Sequence, residues 1–167
     1  MVLRLSEDVA KELSARLRER GAPGSVALTA THEDTEAALI VEEYGPLCEV
    51  MVLIMVADGE IHDAEREVLR GALRQLEPRV RTSHLVEMLA RAESARAREG
   101  VEARLRAVAA ALEDDPVRGE VAYVLGAAVA WADDDVSLGE NALLEELAEA
   151  LGIGEARSEE LLRLLLA

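Results

Sequence analysis

Apolar residues recur along this chain at the spacing of a helix, and that periodicity restricts the fold more than any other feature. Ile61, Val68, Leu69, Ala72, Leu73 and Leu76 share one helical face. Leu85, Met88, Leu89, Ala92 and Ala95 form a second stripe. Val101, Leu105, Val108, Ala109 and Leu112 form a third, and Leu143, Leu144, Leu147 and Leu151 a fourth. Strand signals are missing: there is no sustained period-two alternation, and Tyr44, Tyr123 and Trp131 are the whole aromatic content. The core must therefore be built from Leu, Val, Ala, Ile and Met, of which Leu, Ala and Met favour helices. The reading is all-α, a single helical bundle of about seven to nine helices.

Turn residues place the breaks. Ser6 is the expected N-cap of a first helix running to about Arg20, which stops at Gly21-Ala22-Pro23-Gly24. Ser25 to Thr31 reads as a loop or an extended arm. A second helix is expected over about 33–44, ending at Gly45-Pro46, with Pro46 in the first turn of a third helix that runs to Ala57. Further helices are expected at about 63–76, 83–98, 101–113, 117–132, 138–151 and 155–166. Residues 1–32 form an N-terminal helix and arm without an assignment, and residues 33–167 the main helical domain.

Charge excludes several functions. The chain carries 34 acidic and 18 basic side chains, a net charge of -16, which repels phosphate backbones and argues against a nucleic-acid binder. Its 50% apolar content is too high for a disordered acidic tail. The acid is unevenly spread: residues 62–106 are slightly basic, with ten Arg, while residues 133–167 carry ten acidic side chains against two basic. The arginine-rich stretch reads as a solvated face with helical ion pairs, or as a docking surface for an acidic partner. Cys48 is the single cysteine, so no intramolecular disulfide or Cys-rich zinc site can form, and it reads as a buried small hydrophobe. The longest uncharged, mostly apolar run, Val121 to Ala132, falls short of the roughly 18 residues needed to cross a membrane. With no signal-like run after Met1, the expectation is a cytoplasmic protein without direct membrane insertion.

Two segments match each other 75 residues apart: Met55-Val56-Ala57-Asp58-Gly59-Glu60-Ile61-His62-Asp63-Ala64-Glu65 and Ala130-Trp131-Ala132-Asp133-Asp134-Asp135-Val136-Ser137-Leu138-Gly139-Glu140. Both join an apolar helix to Ala-Asp, a β-branched residue three on and a Glu seven on. Across residues 51–76 and 126–151 only five identities occur, and three of them lie at the loop. Each unit is helix–acidic loop–helix, and two such units can pack as one bundle.

The loops admit two readings. Ser137 and Glu140 have capping-box spacing, and His62 with Glu65 takes the same place in the first unit, so both glutamates can be structural. Asp58 and Asp133-Asp134-Asp135 fall at helix C-termini, where the dipole disfavours negative charge. Either the next helix's amides compensate, or a cation does, held by Asp58, Glu60 and Glu65 and by Asp133, Asp135 and Glu140. Oxygen ligands favour calcium or magnesium over zinc or copper, and His62 could add a nitrogen in the first site. The loops are not EF-hands: counted from Asp133, position 6 is Leu138 and position 12 is Leu144. No Glu-x-x-His occurs, which excludes a ferritin-like di-iron bundle.

At these residues the chain resembles the TerB-like family of tellurite-resistance and stress-response proteins. The resemblance rests on Ala57-Asp58-Gly59-Glu60-Ile61 with Glu65, on Ala132-Asp133 with Glu140, and on Leu147-Ala148-x-x-Leu151-Gly152. It covers roughly residues 35–155, and makes 33–167 a TerB-like domain. It implies a helical bundle with a pseudo-repeat, and acidic residues proposed to bind metal, which fall here on Asp58, Glu65, Asp133 and Glu140. It also implies protein partners that bind calcium or sit at the membrane. Asp134 departs from the family by replacing the loop Gly. A related module occurs in DnaJ-type co-chaperones, but the His-Pro-Asp signature is missing here.

Other residues carry less. His32 and His84 lie near expected helix starts and read as surface or capping residues, and Trp131 reads as core. There is no Gly-rich phosphate loop, nucleophile elbow or HExxH. Carboxylates are abundant enough to pair by chance, so the sequence reads as non-enzymatic. The alternative function is a purely structural helical adaptor that docks a partner through Leu161–Leu166 or the arginine face.

Overall fold

The computed structural model describes residues 6–19, 33–58, 63–131 and 138–166. Among these, eight helices and no strands are found: α1 (Glu7–Glu19), α2 (Glu33–Met55), α3 (Asp63–Leu76), α4 (Thr82–Glu99), α5 (Val101–Ala111), α6 (Pro116–Ala130), α7 (Leu138–Ala150) and α8 (Glu155–Leu166). A 3-10 turn, Val56–Asp58, extends α2. The fold is all-α. The expected arm, Ser25 to Thr31, lies outside the described residues.

Local chemistry sets the ends. Ser6 Oγ accepts from the Val9 amide at 3.3 Å and caps α1. Asp115 accepts from the Arg118 amide at 3.2 Å, with Pro116 in the first turn of α6. His84 is buried, and its Nδ1 accepts from the Arg81 amide at 3.0 Å, so it caps α4 from inside. At the end of α7, Gly152 takes φ +71°, which lets Ile153 N–H reach Ala148 C=O (2.8 Å) and Gly152 N–H reach Glu149 C=O (3.1 Å). That is a Schellman ending, and the left-handed backbone is why a glycine stands there.

One expected boundary is absent. Gly45-Pro46 was expected to separate two helices, but α2 runs through both. A proline inside a helix has no N–H for the carbonyl four residues back, here that of Glu42. Arg118 of α6 supplies the missing donor: its Nη1 reaches the Glu42 carbonyl at 3.4 Å and the Glu43 carbonyl at 3.1 Å. The guanidinium also faces the Glu43 and Asp115 carboxylates, both at 3.5 Å. Burial lowers its pKa, yet it keeps an always-charged donor at the gap. A donor from another helix therefore replaces the intrahelical one, and sequence punctuation could not reveal it.

The core is lined by the expected stripes. Leu69, Leu73 and Leu76 of α3, Leu85, Met88 and Leu89 of α4, Leu105, Val108 and Leu112 around α5, and Leu144 and Leu147 of α7 are all buried. The centre is α6, in which every residue from Val121 to Ala130 is buried. It lies against α2. A methyl built on Gly126 would sit 3.2 Å from Val50 Cγ1 and 3.4 Å from Ile54 Cγ1, so this approach needs the missing side chain. Arg118 meets Glu42 and Glu43 near one end of the pair, and Gly126 meets Val50 and Ile54 further along both chains. The two helices therefore run parallel. Their register, with Arg118 opposite Glu43, is the same 75-residue offset that relates the two acidic segments.

The remaining helices pack in corresponding sets. α2 contacts α3 and α4, as α6 contacts α7 and α8. α1 lies on α3 and α6, as α5 lies on α7 and α2. The N-terminal helix is thus part of the same core, with Val9, Ala10, Leu13 and Leu17 buried. Trp131 ends α6 partly buried against that core.

Arg118→Ala should lower stability by about 1.5–3 kcal/mol, the range for a hydrogen-bonding charged donor. Adding Pro46→Ala should recover part of this loss, because it restores an N–H for the Glu42 carbonyl. Urea unfolding of the two single variants and the double variant measures the coupling.

Candidate functional site

Parallel packing has a direct consequence for the acidic segments. Each follows the C-terminal end of one of the two central helices, so both leave the bundle at the same pole. Asp58 closes the 3-10 turn after α2, and that turn packs against α7. The first turn of α7 carries Glu140, which is half-buried. The first unit's loop entrance and the second unit's exit helix are therefore neighbours. Glu65 lies in the first turn of α3. Glu60, Asp133 and Asp135 lie outside the described residues, as do His62, Ser137 and the two expected capping boxes.

Segments 58–65 and 133–140 together hold eight carboxylates and no Lys or Arg. Helix dipoles do not add to this charge. α2 and α6 end at this pole while α3 and α7 begin there, so their partial charges offset one another. The negative field comes from the side chains themselves. Among the described residues, no group of three His, Cys, Asp or Glu lies close enough to hold a metal ion.

The basic stretch is largely occupied by ion pairs. Arg66 meets Glu93 at 2.7 Å, Arg79 meets Glu77 at 2.8 Å, and Arg91 meets Glu87 at 2.6 Å. Exposed pairs of this kind contribute up to about 1 kcal/mol each. Arg104 is placed differently, holding Glu49 of α2 with two bonds at 2.6 and 3.0 Å. In the C-terminal helix, Leu161 is buried and Leu162, Leu164 and Leu165 pack on the core, which leaves Leu166 exposed. The apolar run at the C-terminus is thus mostly spent on the bundle itself.

The opposite pole holds a junction that the sequence does not signal. Arg157 of α8 grips Glu120 of α6 with two bonds of 2.8 Å, and Arg16 of α1 approaches the same carboxylate at 3.8 Å. Sequence spacing cannot mark this meeting of three distant helices. Beside it lies a small cavity of about 130 Å³, floored by Leu112, Pro116, Leu151 and Ile153. Cys48 is buried in α2, where desolvation and then the charges of Glu49 and Glu93 push its thiol up to about 12. It is a core residue, in line with its sequence reading.

An all-helical bundle built on two parallel central helices is the class of protein these features define. The chain belongs to the TerB family: the family model described as tellurite resistance protein TerB matches residues 46–163. No curated protein and no solved structure matches the chain. The family match begins inside α2, so α1 and the first half of α2 precede it.

Two expectations follow from the ionisable groups. At pH 8 the native Cys48 thiol is neutral and enclosed, so Ellman's reagent should react only on unfolding, with kinetics that track loss of helix by circular dichroism. Hydrogen bonds from Arg157 hold the Glu120 carboxyl below its ordinary value of 4.5. A lowered folded pKa stabilises above the unfolded value, and that contribution disappears as pH falls through the folded one. Wild type should therefore exceed Glu120→Gln in urea midpoint near neutral pH, and the two should converge in acid.

Proposed function

We propose that this protein is a non-enzymatic TerB-type module of the cytoplasm that binds a divalent cation at its acidic pole and acts through protein partners in the response to tellurite or related chemical stress. Membership of the TerB family supports the setting, and the parallel register of α2 and α6 supports the site. That register puts the C-terminal ends of α2 and α6, which the two acidic segments follow 75 residues apart, at one end of the bundle. Asp58, Glu60 and Glu65 from one loop, with Asp133, Asp135 and Glu140 from the other, are the proposed ligands. An all-oxygen set suits calcium or magnesium, which take carboxylates and water in flexible numbers, better than zinc. Bound cation would relieve repulsion among eight carboxylates and tie two loops together, giving a partner a different surface with and without the ion. No described helix is long and apolar enough to cross a membrane, so contact with a membrane-bound partner would run through that partner.

Calorimetric titration with calcium and magnesium tests this reading. Heat of binding is expected, together with a gain in stability of about 2.7 kcal/mol at a hundredfold excess over Kd. Asp58→Ala combined with Asp133→Ala should abolish both signals while leaving the helical circular dichroism spectrum unchanged. If neither ion gives heat or a thermal shift with the wild-type chain, the cation reading fails.

A further inference from the structure

The end of the bundle where α6 and α8 begin carries a cavity that the fold leaves unfilled. It lies between the turn joining α5 to α6 and the turn joining α7 to α8, and its volume is about 130 Å³. Its floor is Leu112, which is 1% exposed. Leu151 and Ile153, both half-buried, and the exposed Pro116 make apolar walls. Glu113, Gly152 and Gly154 are exposed and stand at the mouth. Apolar-walled space of about 150 Å³ takes a single benzene-sized group, so this cavity has room for one aliphatic side chain and little more.

The mouth is both open and negatively charged. Gly152 needs its left-handed backbone, and a side chain on Gly119 would meet Leu151 Cδ2 at 3.4 Å. Gly154 has neither reason: its φ is not positive, and a methyl built on it meets nothing within 4 Å. Its carbonyl accepts from the Ser158 amide at 2.8 Å, so it stands where a Ser, Asp or Asn would cap α8 better. A glycine there keeps the entrance clear. Glu113, its neighbour Asp114, and Glu155 are exposed, and no ion pair engages their carboxylates among the described residues. The lining cation, Arg157, is already held by Glu120 and Glu160 at 2.8 Å each. The entrance therefore carries negative charge without compensation.

We propose that this cavity is a docking pocket for a protein partner, and that it receives one Leu- or Ile-sized side chain with a Lys or Arg next to it in the partner's sequence. The inference rests on the reading that this protein acts through partners, and adds the surface and the chemistry recognised. The anchor side chain covers Leu151, Ile153 and Pro116 and removes their apolar surface from water, as buried anchors do at the centre of an interface. The adjoining cation meets Glu113 at the rim, where charge sets association rate and rejects acidic partners more than it adds affinity. Arg157 keeps both of its carboxylates throughout.

The test titrates short peptides into the isotope-labelled full-length chain and follows amide resonances by NMR. Acetyl-Gly-Leu-Lys-Gly-amide should shift Gly119, Gly152, Ile153 and Gly154 and reach saturation. The same peptide with Gly in place of Leu should shift none of them. With Glu in place of Lys it should bind at least about fivefold more weakly at low salt, and Glu113→Gln should narrow that ratio to within about twofold. Gly154→Leu, or the smaller Gly154→Val if Leu disturbs α8, should block the mouth and abolish the shifts while the urea midpoint stays unchanged. If the Leu-Lys peptide moves none of these resonances, if the Lys and Glu peptides bind wild type equally, or if a folded Gly154 variant still binds, the proposal is overturned. The shifts are expected with and without calcium or magnesium. A failure of the cation reading would therefore leave this pocket standing, and a failure here would leave the heat of cation binding untouched.

Discussion

Close parallel packing of α6 on α2 is the contact from which the rest of the bundle follows. Parallel neighbours gain nothing from their dipoles, so the pair has to be held by packing and by specific bonds. Gly126 provides the packing, because the absent side chain lets Val50 and Ile54 approach the α6 backbone. Arg118 provides the bonds, filling the gap that Pro46 leaves in α2. Once these two helices are fixed in that register, α3 and α4 have a place on one, α7 and α8 a place on the other, and α1 and α5 close the grooves between the sets.

The same contact organises the chemistry. Acidic loops at the ends of antiparallel helices would have been separated by the length of the bundle, each with four carboxylates. In the parallel arrangement the helix ends that lead into them share one pole, and the turn carrying Asp58 packs on the helix that carries Glu140. Arginine is bound to Glu93, Glu49 and Glu120 along the sides and at the opposite pole, and at the acidic pole Arg66 comes within 3.8 Å of Asp63. The net charge of -16 is thus not uniform over the molecule.

Asymmetry between the corresponding halves is also informative. Glu43 and Arg118 occupy equivalent positions, and they differ in sign, so a pair that would repel in identical halves attracts here. Tethering differs as well: Gly100 leads straight into α5, while α1 is followed by thirteen residues before α2.

Much of this was legible in the sequence. Helical periodicity fixed the class and the buried faces of α3, α4, α5 and α7, because burial of one stripe needs only local spacing. Capping at Ser6 and the ending at Gly152 are likewise local, since the groups that bond lie within one turn. The duplicated Ala-Asp and Glu positions mark two loops as the place where a site is proposed. What the sequence could not supply were contacts whose partners lie far apart along the chain. Arg118 carries α2 through Gly45-Pro46, Arg157 and Arg16 meet at Glu120, and α1 enters the core. Above all, the direction of α6 against α2 was decided only by tertiary packing. A repeat in sequence determines that two units are alike, and it leaves open whether they lie parallel or antiparallel. That choice rests on side chains meeting across the interface, and it sets whether the acidic loops stand together or apart.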